Sequence, residues 1–180
     1  HNQIGYNSRL DAIQASILNI KIKYITKWIE ARKRIANIYL DLFEDNQLLV
    51  LPQINTNLSE HTWNQFVLRF KNNNFSIKEN PAELFETDFS LKRSLRNYMK
   101  IELMQKGINS IIYYPIPIHC QMAYKVNNFD RKKLIYTERI CTEVLSLPMF
   151  PEIKLEEQIY IAENLNTTLR TFNKQIQISA

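Results

Sequence analysis

Histidine and cysteine are the side chains of this sequence that could ligate a metal or act as a nucleophile. The three histidines are His1, His61 and His119, and the two cysteines are Cys120 and Cys141. None falls in a His-x-x-x-His or Cys-x-x-Cys spacing, so we predict no metal site. His119 and Cys120 are adjacent, but neighbouring side chains on an extended segment point to opposite faces. We therefore expect them not to form a Cys–His pair.

Two short stretches have a composition that suits ligand binding. Tyr113–Gln121 (YYPIPIHCQ) joins two phenols, two prolines and an imidazole. The prolines restrict the backbone, so the stretch could be a placed binding wall, or it could be an ordinary proline-rich edge loop. Gly5–Arg9 (GYNSR) could be a helix N-cap or an anion site at a helix N-terminus. The residues alone leave both pairs of alternatives open.

The glycines and lysines exclude several catalytic classes. Gly5 and Gly107 are the only glycines, so neither a dinucleotide-binding fingerprint nor a Walker loop can be written with this chain's residues. The lysines lie on polar helix faces or in charged loops, whereas a catalytic lysine needs a desolvated pocket or a neighbouring cation. We therefore predict no complete catalytic set within this chain.

The net charge of +5 is concentrated at one end. Residues 1–34 hold seven cations and two anions, and the remaining 146 residues sum to zero. A basic helix could bind nucleic acid or an anionic membrane. We interpret these charges as the solvated face of an amphipathic helix and not as part of a surface on which bases stack. We expect neither a nucleic-acid nor a membrane partner.

The composition is that of an ordinary globular protein, with 45% hydrophobic and 23% charged residues in 180. No stretch approaches the ~20 apolar residues that a membrane span needs. Two cysteines are too few for a disulfide scaffold, which predicts a cytoplasmic location.

Apolar periodicity predicts a helical rod followed by a small α/β unit. Stripes at helical spacing cover residues 8–44, with an N-cap at Asn7 or Ser8 and a kink near Ile25. Residues 45–60 form a connection with a short extended piece, and residues 72–90 form a surface excursion with a helical turn after Pro81. The remaining elements alternate strand and helix: a half-buried strand over 61–70, a helix over 91–106 closed by Gly107, a strand over 110–114, a helix over 130–144, a strand over 145–148 and a final helix over 155–172.

Five stretches, which together span nearly the whole chain, form an ordered set of motifs. They are Ile4–Asp11 (IGYNSRLD) with the following Ile13-Gln14-Ala15, Ala31–Ala36 (ARKRIA) with Tyr39, Trp63–Val67 (WNQFV), Gly107-Ile108 leading to Tyr114–Gln121 with Tyr124, and Glu138-Arg139 leading to Leu145–Pro151 (LSLPMFP). In this order they resemble the DegT/StrS family of pyridoxal-phosphate (PLP)-dependent aminotransferases, which act on keto-sugars attached to nucleotides.

The resemblance implies the C-terminal small domain of an aspartate-aminotransferase-like, fold type I PLP fold, preceded by a long interdomain helical segment. Residues 1–44 would then be the helical rod leading to a missing N-terminal PLP domain, and residues 45–180 the small α/β domain. In the family, the lysine that holds PLP covalently lies upstream of the motif at Gly5–Asn7. The resemblance therefore implies no catalytic residue in this chain and no covalent binding of PLP by it alone.

The resemblance also implies roles for particular residues. Family members are dimers with active sites at the subunit interface. The motif matching Asn7 and Arg9 reaches the neighbour's cofactor phosphate, and an amide with a guanidinium suits a phosphate dianion. The segment matching Tyr113, Tyr114 and His119 resembles a wall of the sugar-nucleotide pocket. Tyr113 departs from the family, in which many members have histidine before the Tyr-Pro, so the sugar is left open.

Two functional hypotheses follow. The first is the C-terminal part of a sugar-nucleotide aminotransferase, which moves an amino group, typically from glutamate, in surface-polysaccharide or amino-sugar biosynthesis. It is inactive alone and works as a homodimer or with a separate N-terminal PLP domain. The second is a non-catalytic module for dimerisation or sugar-nucleotide binding, suggested by the apolar stripe that the rod would expose in a monomer.

Overall fold

The computed structural model describes residues 10–54, 61–71, 95–124 and 134–179, with side chains described as far as residue 173. The predicted excursion at 72–90 and the residues Asn7, Ser8 and Arg9 lie outside these ranges. The elements in chain order are α1 (Ala12–Lys21), a 3-10 turn (Ile22–Tyr24), α2 (Ile25–Phe43), β1 (Leu49–Val50), β2 (Phe66–Phe70), α3 (Leu95–Gln105), 3-10 turns at Ile118–Cys120 and Met122–Tyr124, α4 (Ile135–Glu143), β3 (Val144–Leu147) and α5 (Leu155–Ser179).

The predicted helical rod is two α-helices joined by a 3-10 turn. The N-cap of α1 is Asp11, whose side chain accepts a hydrogen bond from Gln14 N at 2.9 Å, so the prediction of Asn7 or Ser8 as the cap was wrong. The predicted kink is confirmed to within a few residues, because the turn at Ile22–Tyr24 ends where α2 begins.

The two helices of the rod differ completely in burial. No residue of α1 is buried, and its apolar side chains, among them Ile13 at 75% exposure, face outward. In α2 the buried residues are Ala31, Ile35, Ala36, Tyr39 and Phe43, and all of them except Ala31 belong to the core that α5 also lines. The second half of the rod is therefore part of the globular body, whereas α1 extends from it with an unburied apolar surface.

The sheet has three antiparallel strands in the order β1–β2–β3. Within it, Phe66 pairs with Leu147 and Leu68 with Leu145. The predicted alternation of β2 is confirmed: Phe66, Leu68 and Phe70 are buried in the core, and the residues between them are half-buried on the other face. The core lies between the face of the sheet that carries Phe66, Leu68 and Phe70 and helices α2, α3 and α5.

Tyr39 connects α2 to the end of β3 inside this core. Its hydroxyl donates a hydrogen bond to the carbonyl oxygen of Pro148 at 3.0 Å, and its ring lies 5.0 Å from that of Phe66. Burial is the main cause that raises the pKa of the Tyr39 phenol, so the group stays a protonated donor.

Gly107 ends α3, as the sequence predicts. Its φ is +74°, its amide donates to Met104 O at 3.0 Å, and the amide of Ile108 donates to Leu103 O at 2.9 Å. These two bonds are those of a Schellman motif, in which a glycine at C′ adopts the left-handed conformation without a Cβ penalty. The turn reverses the chain toward β3.

The strand predicted over 110–114 is wrong in extent. Only Ile111 pairs with the sheet, exchanging two backbone hydrogen bonds with Ser146 at 3.0 and 2.7 Å. Pro115 and Pro117 follow within a few residues and cannot donate to a ladder, so the chain leaves the sheet there.

Helix α4 is fixed to the sheet by a buried carboxylate. Glu143, whose side chain is 3% exposed, accepts from Arg69 Nη2 at 2.8 Å and from Arg139 Nε at 2.7 Å. Arg96 of α3 donates to the carbonyl oxygen of Cys141 at 3.0 Å, and burial lowers its pKa to about 10, so it remains charged at neutral pH. These contacts set the position of the helix that faces the predicted binding segment.

Within the described residues, no helix combines the length and apolar character that crossing a bilayer requires.

Candidate functional site

The two tyrosines of the predicted binding segment form an exposed aromatic surface. Tyr113 and Tyr114 follow the bridge at Ile111, and their rings meet edge to face with centroids 5.4 Å apart. Tyr114 is 69% exposed and Tyr113 is 37% exposed. Large amphipathic rings held at a surface suit contact with a sugar or a base while the hydroxyl groups remain available for hydrogen bonds.

Tyr113 also lines a small cavity at the open face of the sheet. Its polar lining comes from Asn64, Gln65, Asn109 and Ser146, and its volume is about 140 Å³. A pocket for a drug-sized ligand has roughly 300–1,000 Å³, so this cavity can take only part of one. The remaining walls of a sugar-nucleotide site would have to come from elsewhere.

The register of the sheet explains why Gln65 and Ser146 meet. Ser146 pairs with Val67, so Gln65 is its diagonal neighbour on the same face. The Ser146 hydroxyl donates to Gln65 Oε1 at 3.1 Å. That bond uses the amide oxygen, and the amide NH₂ of Gln65 is then the donor that a ligand in the cavity would meet.

The chain turns at Trp63, and the residues that follow it line this cavity. Its φ is +50°, a left-handed conformation that is uncommon for a bulky residue and costs of order 1–3 kcal/mol. The backbone amide of Trp63 donates to His61 Nδ1 at 3.0 Å, and its ring is buried against Phe66. Asn64 and Gln65 follow directly and line the cavity.

His119 is buried against α4, whereas the two tyrosines are exposed. Its side chain is 8% exposed, and its Nε2 lies 2.9 Å from Oε1 of Glu138 on α4. Cys120 Sγ lies 3.8 Å from the same oxygen. The expectation that His119 and Cys120 would point apart was wrong, because the segment is a 3-10 turn there and not an extended strand.

The structure brings together some of the predicted site residues. Tyr113 and Tyr114 form one surface, and His119 lies in the same segment but contacts α4. The predicted cofactor residues Asn7 and Arg9 are outside the described residues. Sequence reasoning assigned no role to Gln65, Ser146 or Glu138, although each belongs to a motif of the resemblance, and that was the only signal available.

The described residues do not fit PLP on their own. The cofactor needs a lysine amine for its aldehyde and cationic or amide donors for its phosphate. The cavity beside Tyr113 offers amides, a hydroxyl and a phenol, and the larger cavity next to it, of about 600 Å³, is lined mainly by apolar residues and two glutamates. Neither is lined by lysine or arginine, so we derive no chemical step through PLP from these residues.

The fold is that of the C-terminal part of fold type I PLP-dependent sugar aminotransferases. A DegT/DnrJ/EryC1/StrS aminotransferase from Brucella abortus matches with a TM-score of 0.69 and 30% identity over 91% of this chain and 37% of that one. A putative sugar aminotransferase from Streptococcus pneumoniae in its PLP form gives a TM-score of 0.70 at 20% identity, over 91% of this chain and 36% of that one. At this identity the match shows a similarity of fold.

The chain belongs to the DegT/DnrJ/EryC1/StrS aminotransferase family, whose model matches residues 1–166. It is 33% identical to a dTDP-3-amino-3,6-dideoxy-alpha-D-galactopyranose transaminase from Aneurinibacillus thermoaerophilus over 90% of this chain and 37% of that protein. It is 32% identical to a pleiotropic regulatory protein from Geobacillus stearothermophilus over 96% of this chain and 40% of that protein. The chain spans about two fifths of the length of these relatives. PLP is the cofactor at the level of the family.

Proposed function

We propose that this chain is the C-terminal portion of an aminotransferase that transfers an amino group, typically from glutamate, to a keto-sugar carried on a nucleotide. The observation that carries the proposal is the family match over residues 1–166. Relatives that are named as sugar aminotransferases support the substrate class. The chain alone is inactive in this proposal, because a portion outside it supplies the lysine that holds PLP.

The residues of this chain would bind and orient the substrate. Tyr113 and Tyr114 present their rings and hydroxyl groups to the sugar nucleotide, and Gln65 contributes an amide at the adjacent cavity. His119 would belong to the same wall, and its contact with Glu138 would fix its position. Asn7 and Arg9 form the phosphate clamp for the cofactor held by the neighbouring subunit.

Residues 1–44 would form the connection to the PLP-binding portion, and residues 45–180 the small domain. The exposed apolar surface of α1 supports this arrangement, because a surface of this kind is usually covered in the working assembly. We propose that the PLP-binding portion covers the exposed surface of α1, since about three fifths of the length of each relative lies outside the match. The pairing of two such units would give the homodimer. Cys120 and Cys141 are not joined in a disulfide, which fits a cytoplasmic location.

The test joins this chain to the upstream portion of the Aneurinibacillus transaminase, in place of that enzyme's own C-terminal part. The chain alone, mixed with PLP, should give no absorbance of lysine-bound cofactor. The chimera should give that absorbance and should aminate a keto-sugar nucleotide with glutamate as donor. Absorbance of lysine-bound PLP with the chain alone would contradict the proposal, as would a folded, PLP-loaded chimera without activity.

A matched pair of tyrosine variants tests the substrate wall in the chimera. Tyr114→Ala removes an exposed ring of the proposed wall, and Tyr136→Ala removes a 75% exposed ring of α4 outside it. Loss of one aromatic contact of about 1.4 kcal/mol lowers kcat/KM about tenfold. We expect that loss for Tyr114→Ala only. Equal values for the two variants would contradict the role of Tyr114.

The alternative function is a non-catalytic module, and the exposed face of α1 is the observation that favours it. In that case the chain would self-associate in sedimentation or bind a sugar nucleotide, while its chimera would remain inactive. A monomeric chain whose chimera is active excludes this alternative.

A further inference from the structure

Three potential metal ligands meet between the proline-rich segment and α4. His119 and Cys120 come from the 3-10 turn at Ile118–Cys120, and Glu138 comes from the first half of α4. One ligand atom from each residue lies within 4.8 Å of the other two. The side chains of His119 and Glu138 are 8% and 10% exposed, and Cys120 is half-buried. We call these residues the His-Cys-Glu cluster.

Two of the three ligand separations in the cluster are close to those of a tetrahedral zinc site. Zinc bonds of about 2.3 Å to sulfur and about 2.0–2.2 Å to nitrogen and oxygen place tetrahedral ligand atoms roughly 3.4–3.6 Å apart. In the structure, His119 Nε2 and Glu138 Oε1 are 2.9 Å apart, and Cys120 Sγ and Glu138 Oε1 are 3.8 Å apart. A metal ion would therefore require side-chain movements of a few tenths of an ångström along these two contacts. The ligand nitrogen of His119 and Cys120 Sγ lie within 4.8 Å of each other, so they would have to approach by up to about 1.3 Å.

The donor types determine which ion fits. A thiolate and an imidazole favour zinc and related transition metals over Mg²⁺ and Ca²⁺, which take oxygen ligands. A thiolate and a carboxylate also neutralise a divalent ion, which lowers the cost of placing the charge in a site with little access to water. Three protein ligands leave a fourth position for water.

We propose that His119, Cys120 and Glu138 bind one Zn²⁺, which fixes the segment that carries Tyr113 and Tyr114 to α4. The ion would join two parts of the chain that are distant in sequence, because Glu138 lies 19 residues after His119 and 18 residues after Cys120. The proposal does not depend on the proposed function, because it concerns these three side chains only.

The test titrates the full 180-residue chain, first freed of metal with a chelator, with Co²⁺ and then with Zn²⁺. We expect one ion per chain, a sulfur-to-cobalt charge-transfer band, its loss when Zn²⁺ displaces Co²⁺, and no effect of excess Mg²⁺. The variants Cys120→Ser and Glu138→Gln should each weaken zinc binding about 100-fold or more, and Cys120→Ser should abolish the charge-transfer band.

Cys141→Ser is the matched control, because Cys141 is the chain's other half-buried thiol and lies one helical turn from Glu138. It should keep the band, the stoichiometry and the affinity. Absence of the charge-transfer band in the unaltered chain would overturn the proposal, and so would an equal loss of binding in Cys141→Ser. If Cys120→Ser or Glu138→Gln does not fold, as judged by circular dichroism, the unaltered chain and Cys141→Ser decide between these outcomes.

Discussion

The hydroxyl of Tyr39 is the one polar atom that this residue contributes to the core, and Tyr39→Phe deletes it without changing the ring. The ring contacts with Phe43 and Phe66, at 6.1 and 5.0 Å between centroids, can therefore remain. What is lost is the hydrogen bond to Pro148 O, which ties α2 to the end of β3. The free energy of unfolding should fall for that reason alone.

The expected magnitude follows from the surroundings of that bond. An intramolecular hydrogen bond is worth about 0.5–1.5 kcal/mol net, and a carbonyl left without its partner adds to the cost. Tyr39 itself is fully buried, but Pro148 is half-buried, so water can reach part of its peptide group. We expect Tyr39→Phe to lower the free energy of unfolding by about 1–2 kcal/mol, which for this length lowers Tm by roughly 3–6 °C.

Urea unfolding, followed by circular dichroism and by the fluorescence of buried Trp63, measures this change. The matched control is Tyr160→Phe, which deletes a hydrogen bond of 3.1 Å from an exposed phenol to Lys106 O. Water replaces that bond, so its loss should stay within about 0.5 kcal/mol. Equal effects of the two substitutions, or a loss below about 0.5 kcal/mol for Tyr39→Phe with an unchanged m-value, would refute the reasoning.

Two further predictions concern α4. Glu143→Gln removes the buried carboxylate that pairs with two partly exposed arginines. We expect it to lower the free energy of unfolding by about 1.5–3 kcal/mol in the same urea assay, whereas Glu163→Gln on the exposed face of α5 should change it by no more than about 0.5 kcal/mol. Equal losses would contradict the importance of the buried carboxylate. Burial is the main cause that raises the pKa of the Cys141 thiol, so less thiolate is present at a given pH. In a Cys120→Ser background, which isolates this thiol, iodoacetamide should react more slowly than with a model thiol, and the rate should rise at higher pH. A rate equal to that of the model thiol would refute the prediction.

The parts of the fold that could be predicted are those set by local chemistry. The alternation of β2 follows from the two-residue period of a strand, and the end of α3 follows from the conformational freedom of Gly107. The strand expected over 110–114 was too long because its apolar residues suit a strand, whereas the prolines that follow and the short partner β3 limit the pairing to Ile111.

The site was less predictable, since it depends on contacts between distant segments. His119 and Cys120 were read as extended, and nothing in their immediate sequence indicates a 3-10 turn or the approach of Glu138. The contact between Gln65 and Ser146 requires the register of β2 against β3. Spacing rules for metal ligands detect sites within one segment, and they do not detect a set divided between two.

The continuity of α1 with α2 lowers the free-energy cost of ordering α1 on assembly. A helix of ten residues is too short to be stable in water by itself, because nucleation must be offset by many later hydrogen bonds. Here α2 is anchored by its buried residues, and α1 continues from it across the turn at Ile22–Tyr24, so the nucleus already exists. A partner that bound α1 would meet a surface whose backbone is ordered beforehand, so less of the association energy would be lost to conformational entropy.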